Sequence, residues 1–396
     1  MMNIQPTKEE EHVAKLLMRI RIAKELGRAK EFRHWTGTYL NSFDARLAAV
    51  QRANRRRKLG DRLDTATVRT IAAGLDAWKG TDEPMLVHQK PKTSNPGSFR
   101  TYMAFGIQNR ALQYLVLRLL EQVACIAPYQ YTVRGGLHAS IKHVAKVMSA
   151  GPIWAVEVDV VDCYQSFDGE KLKDLLPVPK VVSAQVLIAE HLNLKGGHIV
   201  DITKSGPFGP AGDPKSSTMA IEGTLAAARR GIPQGSAASP FIAETMLAIA
   251  LRKVPDLGDK VGYGDNCLLM AKEESDVVTM LEALETAFHT HPVGLLTPKK
   301  KLFHPGQPVQ FLGHSLTPQS GGHILIEPDL KNRKKFERIM GRKVNHLKYE
   351  KLSAAVRIRA QRKARRYVQS WTATFKLCDD IGAVRAQWLM KIAKAS

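Results

Sequence analysis

The stretch Val261-Gly262-Tyr263-Gly264-Asp265-Asn266-Cys267-Leu268-Leu269-Met270 leaves the backbone few choices. Apolar residues flank a polar Gly-Asp-Asn centre, and Gly, Asp and Asn supply the backbone angles that hairpin turns need. The pattern predicts two strands joined by a tight turn that lifts one carboxylate, Asp265, to its tip. A turn of this kind often does nothing but turn. Two other stretches change its meaning. Upstream, Ile153 to Val161 is an apolar strand that runs into Asp159-Val160-Val161-Asp162-Cys163-Tyr164. A carboxylate emerging from a buried strand is costly unless it is paired or holds a cation, which is the first physical indication of a metal site. Between the two, Arg230-Gly231-Ile232-Pro233-Gln234-Gly235-Ser236-Ala237-Ala238-Ser239-Pro240 opens an apolar helix over Phe241 to Arg252. Such a loop exposes backbone N–H groups and a positive dipole end to a base pair or phosphate.

The chain has 396 residues, enough for two or three lobes, and its 44% apolar content makes a folded core the default. Its net charge of +22 predicts a polyanionic partner, nucleic acid rather than membrane. The charge is concentrated at the C-terminal end. From Lys331 to Ser396 there are 19 Lys and Arg against 4 Asp and Glu, a surplus of +15. Four cysteines without Cys-x-x-Cys spacing argue against a zinc site and for a reducing, cytoplasmic location. No apolar signal core or membrane-length run is present, so a soluble protein is expected.

Along the chain, Thr7 with Glu10 forms a capping box ahead of Val13, Leu16, Leu17 and Ile20, which predicts a helix over 8–26. The basic run Arg52, Arg55, Arg56, Arg57 and Lys58 is either a solvated helix face or a phosphate contact. Leu86 to Arg110 reads as loops and short strands with Lys90, Lys92 and Arg100 able to clamp a triphosphate. Leu112, Leu115, Val116, Leu119 and Leu120 mark an amphipathic helix, and Tyr131 to Gly136, with Arg134, a turn into a helix over Ala139 to Met148. Helical stretches follow to about Leu194, and Lys204 to Ser217, rich in Pro, Gly and Ser, reads as a mobile loop. After a helix near Ser275 to His289 come Leu296-Thr297-Pro298-Lys299-Lys300-Lys301 and a short strand with Phe311-Leu312-Gly313. Beyond Pro328, helices with Phe336, Ile339, Met340, Val344 and Leu347, then Tyr367, Val368, Trp371 and Phe375, carry the basic surplus.

The order of these parts is carboxylate strand, Gly-rich loop and helix, carboxylate hairpin, lysine, Phe-Leu-Gly strand, basic helices. From about Leu86 to the C-terminus this resembles the palm and thumb of a reverse transcriptase. Asp159 and Tyr164 match the family's first catalytic strand, and Gln234-Gly235 with Ser239-Pro240 match its Gln-Gly-x-x-x-Ser-Pro loop. Tyr263-Gly264-Asp265-Asn266 matches its Tyr-x-Asp-Asp hairpin except at the last residue. The resemblance implies an α+β right-hand polymerase: a helical extension over 1–85, fingers over 86–150, palm over 151–325 with an insertion at 169–230, and a basic helical thumb over 326–396.

It also implies the chemistry. Transfer of a nucleotidyl group to a primer 3′-oxygen uses two Mg²⁺ ions roughly 4 Å apart, or Mn²⁺ in their place, one activating the attacking oxygen and one steadying pyrophosphate. Hard Mg²⁺ wants oxygen ligands, so Asp159, Asp265 and the carbonyl of Val160 are the implied metal ligands, with Asn266 beside them in the catalytic set. Lys90 or Lys92, with Arg100, would offset phosphate charge, and Gln234, with Gly235 beside it, would support the template or the incoming nucleotide. Tyr164 would press on the sugar and favour dNTPs, although an aromatic at a strand end is more often core. Lys300 would approach the pyrophosphate, with a solvated loop lysine as the plain alternative. Tyr263, Phe311, Leu312, Gly313 and Arg134 would bind primer and template, while Cys163 and Cys267 read as small packing residues.

Asn266 stands where the family usually has Asp, which leaves open lowered activity, altered metal preference or loss of catalysis; the other matches favour an active enzyme. No RNase H, integrase or endonuclease domain is expected after the basic thumb, and no Val-Thr-Gly retron signature follows the hairpin. The expected relatives are stand-alone bacterial enzymes of the retron and group II intron type, nearest the defence-associated or abortive-infection groups. These use a structured non-coding RNA as template or scaffold, make a DNA product, and often have a companion protein; a homo-oligomer stays open. The alternatives are an RNA-dependent RNA polymerase and a catalytically degenerate RNA-binding scaffold. The basic C-terminal helices should grip the nucleic-acid backbone. Removing Lys331 to Ser396 is therefore expected to weaken RNA binding at moderate salt, as measured by filter binding, and unchanged affinity would refute the assignment.

Overall fold

A computed structural model describes residues 7–91, 99–197, 214–349 and 353–395. The fold mixes helices and sheets as an α+β protein. The chain begins with α1 (Lys8–Glu25), α2 (Ala29–Asn41), α3 (Phe43–Arg55) and α4 (Thr65–Gly74). The capping box is formed: Thr7 Oγ1 accepts from the Glu10 N–H at 3.3 Å and Glu10 Oε2 accepts from the Thr7 N–H at 3.0 Å. Strands β1 (Met85–Pro91) and β2 (Phe99–Ala104) pair antiparallel, and α5 (Ile107–Val123) follows. Then come α6 (Gly136–Ser149), β3 (Trp154–Val160), α7 (Cys163–Ser166), α8 (Gly169–Leu175), α9 (Lys180–Leu187), β4 (Leu194–Gly196), α10 (Pro214–Ala228) and α11 (Ser239–Leu251). The chain continues through β5 (Asp259–Tyr263), β6 (Asn266–Ala271), α12 (Glu274–His289), β7 (Pro298–Phe303), β8 (Val309–Phe311), β9 (His314–Pro318) and β10 (Ile324–Pro328). It ends in α13 (Leu330–Leu347), α14 (Ala354–Thr374) and α15 (Ile381–Lys394).

Two compact units form. The first takes Met1–Val133, Val160–Lys253 and Glu285–Pro298, and the second Arg134–Asp159, Val254–Leu284 and Lys299–Ser396. In the first, α5 is the central rod. The amphipathic face expected for it is instead a nearly complete buried surface, with Ala111 through Leu117 all enclosed, because α1 and α3 pack against it as well as α9. Tyr39 is 1% exposed and donates its hydroxyl to the Leu115 carbonyl at 3.1 Å, and burial pushes its phenol pKa well up. The segment read as helical up to Leu194 ends in β4, which pairs parallel with β1. Three residues are too short to show a period of their own. Most of the stretch expected as a loop, Lys204 to Asp213, lies outside the described residues, and its end, from Pro214, begins α10.

The second unit holds a four-stranded sheet in the order β5-β6-β3-β7 and a three-stranded sheet in the order β10-β9-β8. Its helices α13, α14 and α15 share a core of Phe336, Met340, Val344, Leu347, Val368, Trp388 and Ile392, as the sequence spacing anticipated for α13 and α14. Phe336 stacks on Trp371 with ring centres 3.9 Å apart. No helix among the described residues is long and apolar enough to cross a membrane.

Phe311-Leu312-Gly313 is not a strand throughout. β8 ends at Phe311, which pairs with His314, so Leu312 and Gly313 are the two central residues of a hairpin turn. Both have positive φ, 48° at Leu312 and 80° at Gly313. The leucine carries strain of about 1–2 kcal/mol in that region. The surroundings hold it there. His314, fully buried, donates Nδ1–H to the Leu312 carbonyl at 3.1 Å, and the Gly313 carbonyl accepts from the Asp329 N–H at 2.9 Å and from Asn332 Nδ2 at 3.4 Å. Burial keeps the His314 pKa below the ordinary histidine value. A Cβ on Gly313 would stand 2.7 Å from Asn332 Nδ2. Gly313→Ala is expected to cost about 1–2 kcal/mol or more of stability, read as a lowered denaturant midpoint.

Candidate active site

In the second unit the hairpin forms as the residues demand. Tyr263 pairs with Asn266, which leaves Gly264-Asp265 as a two-residue turn. Gly264 has φ 60° while Asp265 stays out of the positive region, the sign pattern of a type II′ turn, where glycine takes the first central position at no steric cost. β6 then runs antiparallel to β3 with Asp159 directly opposite Asn266. Opposed residues of an antiparallel pair have Cβ atoms about 5 Å apart and share a face. Tyr263, Asn266 and Asp159 therefore form one row across three strands, with Asp265 at the turn beside it. Asn266 Nδ2 donates to Asp265 Oδ1 at 3.2 Å. The residue that departs from the expected motif thus tethers the carboxylate next to it.

Strand alternation puts Glu157 on the same face as Asp159, with Val156, Val158 and Val160 buried on the other. Burial raises the Glu157 pKa; Lys301 opposes the rise, Asp159 adds to it, and Lys299 opposes it more weakly. The lysines whose charge reaches this face are thus Lys299 and Lys301, and Lys300, exposed on β7, lies between them. Cys267 pairs with Val158 on the face away from Asp159 and is 1% exposed, in keeping with a packing role. Arg134 is exposed in the turn before Gly135, whose φ of 95° starts α6.

In the first unit a second group of the expected residues comes together. Tyr164 lies on α7, just after Asp162, a non-glycine residue at φ 47°. The Gly-rich loop docks on it: the Ile232 N–H donates to the Tyr164 carbonyl at 2.8 Å, and a Cβ on Gly231 would collide with that same oxygen. The Gln234 carbonyl accepts from the Met103 N–H at 2.8 Å, and Gly235, at φ 105°, would place a Cβ 2.6 Å from the Met103 carbonyl. Met103 belongs to β2, the strand that also carries Arg100. Arg100 is opposite Lys90 of β1 in the pairing register, while Lys92 lies outside the described residues. Gln113 Oε1 accepts from the Ala237 N–H at 3.0 Å and fixes the far end of the loop. Tyr164, Gln234, Gly235 and the Arg100 strand are thus one assembly, and Val160 ends β3 with its side chain buried.

The sequence matches the model of the family described as reverse transcriptase (RNA-dependent DNA polymerase) over residues 89–316, 228 of 396. The chain belongs to the reverse transcriptase family. No curated protein matches it significantly. The matched span runs from β1 into β9 and includes both groups of residues just described. Reverse transcriptases copy an RNA template from nucleotide substrates and generally use divalent metal ions.

The donor set in the second unit suits such ions. Asp159 supplies hard carboxylate oxygens from β3 and Asp265 from the β5–β6 turn, and no thiol or imidazole shares the row of Tyr263, Asn266 and Asp159. Sequence reasoning missed Glu157, although the two-residue spacing to Asp159 on a strand carried the signal. It also missed Glu244, which is 2% exposed in an otherwise apolar helix and accepts the Thr132 N–H at 2.8 Å; that long-range contact has no local signature. Hydrogen-bond partners of ligating groups typically matter about 10- to 100-fold for metal affinity. Asn266→Ala is therefore expected to weaken Mn²⁺ binding by about 10- to 100-fold in a metal titration followed by electron paramagnetic resonance.

Proposed function

We propose that the protein is an RNA-directed DNA polymerase that adds dNTPs to a primer end in an Mg²⁺-dependent reaction. The observation that carries this reading is the register of β3 on β6, which sets Asp159 opposite Asn266 and next to the Asp265 turn. In this reading Asp159 and Asp265, with the Val160 carbonyl, hold the cations, which when bound activate the primer 3′-oxygen and neutralise the leaving pyrophosphate. Asn266 orients Asp265 through the hydrogen bond it donates. Its neutral amide does so without the repulsion that a second carboxylate would bring, and this favours an active enzyme over a degenerate scaffold.

The remaining roles follow from residue chemistry. Lys90, Lys92, Arg100 and Lys300 neutralise triphosphate charge, while Gln234 and Gly235 present backbone and amide to the base pair. Tyr164, fixed through its carbonyl by the Gly-rich loop, acts as the sugar gate that favours dNTPs over NTPs. Tyr263, Arg134 and the strained Phe311-Leu312-Gly313 turn bear on primer and template. Fingers over 86–150, palm over 151–325 and thumb over 326–396 are the corresponding lobes, and the +15 of the last helices serves the phosphate backbone.

The wider setting we propose rests on resemblance: a cytoplasmic enzyme of bacterial antiphage defence, working with a dedicated structured RNA and a companion protein. Sequencing the nucleic acid that copurifies with the full chain reports template and product together. For the chemistry, Asp265→Ala is expected to lower dNTP incorporation on a primed RNA by about a thousandfold or more, while Asn266→Asp retains it. Full activity of the Asp265→Ala protein, or a preference for NTPs over dNTPs in the parent, would overturn the assignment.

A further inference from the structure

The first unit contains a cleft of about 500 Å³ that none of the polymerase residues above lines. Its walls are the end of α3, with Ala53, the turn after it, with Arg56 and Arg57, and the start of α5, with Phe105 just before it and Arg110 and Tyr114 on it. Three guanidinium groups therefore converge on one concavity. Among the described residues, neither Arg56 nor Arg110 takes part in an ion pair, and Arg57 spends its Nε on the Asp61 carbonyl at 2.6 Å. Glu83 is the acid beside the cleft: its carboxyl lies against Gly106, which also lines it, and its Oε2 accepts the Asn109 N–H at 2.9 Å, so one carboxylate faces three guanidinium groups.

Arg110 is also held by a ring. The Arg110 guanidinium lies 5.6 Å from the centre of the Phe105 ring, and Arg52, just behind the cleft, lies 4.5 Å over Tyr114. Aromatic rings that support guanidinium groups reduce the side-chain freedom lost when those groups grip a ligand. A merely solvated basic helix face would show neither a cavity nor arginines contributed from two separate segments of the chain. Like charges that outnumber the acids beside them repel one another, and a bound polyanion relieves that repulsion. The planar fork of arginine suits phosphate oxygens, which it can meet two at a time. A volume of this size falls within the roughly 300–1,000 Å³ of small-ligand sites, large enough for a nucleotide unit.

We propose that this cleft binds the phosphate of a nucleotide unit, through Arg56, Arg57 and Arg110. The phosphate comes either from a single-stranded RNA backbone or from a free nucleotide, and the two are separable by experiment. The inference rests on the cleft itself and not on the polymerase reading, since Asp265 takes no part in it.

The test uses the full chain, a fluorescently labelled single-stranded RNA oligonucleotide and dATP as an unlabelled competitor, with anisotropy followed over a range of salt. The variants are Arg56→Gln, Arg56→Lys and Arg110→Gln. Arg56 is exposed and unpaired among the described residues, so Arg56→Gln keeps the test sound even if loss of the Phe105 contact makes Arg110→Gln fold poorly. For an RNA-backbone site, the slope of log affinity against log salt drops by about one for each arginine removed, with uniformly weaker RNA binding. Arg56→Lys keeps that slope while losing affinity. For a free-nucleotide site, dATP binding weakens in the Gln variants while the RNA slope holds. If Arg56→Gln and Arg110→Gln both bind RNA and dATP like the parent protein, with unchanged slopes, the proposal is wrong. The Asp265→Ala protein should give the parent slopes, so failure of this site and failure of the polymerase reading are distinguishable.

Discussion

The pairing of β3 with β6 is the constraint on which the candidate active site depends. It fixes Asp159 opposite Asn266, and the pairing of β5 with β6 then fixes Asp265 at the turn. Because side chains alternate along a strand, a slip of one residue would carry Glu157 and Asp159 to the face where Val156, Val158 and Val160 are packed. Fully burying a Val or Leu side chain contributes about 1.5–3 kcal/mol, so exposing three valines already approaches the roughly 5–15 kcal/mol of net stability of a typical domain. The desolvation of two carboxylates adds to that penalty. Hydrophobic burial on one face of β3 is thus what aims the acids on the other.

The first unit solves a different problem, how to keep a Gly-rich loop in one place. Gly231 and Gly235 sit where any Cβ would strike the Tyr164 or Met103 carbonyl, so the backbones approach closely and bond directly. Asp162 and Leu312 bear left-handed angles although they are not glycines. Strain of this sort persists only where surrounding contacts over-determine the backbone, and it gathers at functional loops. Both places show such contacts: Asp162 begins the short helix that carries Tyr164, and Leu312 is held by the His314 ring.

Charge is organised at two scales. The basic surplus of α13 to α15 lies on helices whose opposite faces share an aromatic core, so positive charge is presented without loss of packing. The arginines near α3 and α5 are placed more narrowly, against Phe105 and Tyr114 and around a cavity. The first arrangement suits a long phosphate backbone, which rewards distributed charge. The second suits a single phosphate, which rewards a fixed fork.

By itself the sequence determined the elements whose signal is local. Turn chemistry at Gly264-Asp265, the cap at Thr7, the helical spacing of α13 and the apolar run of β3 each follow from steric and burial rules that act within a few residues. Tertiary structure decided the rest. That Asn266 donates to Asp265, that Glu157 joins the acid face, and that α5 is buried all round depend on which strands and helices become neighbours. So do the Leu312-Gly313 turn, where an extended strand was expected, and the three-residue β4. Arg56 and Arg110 stand more than fifty positions apart in the chain, and only the packing of α3 on α5 brings them to one cleft. A hydrogen bond or a convergence of charges between distant residues leaves no periodic trace, because its energy is realised only after the core has formed.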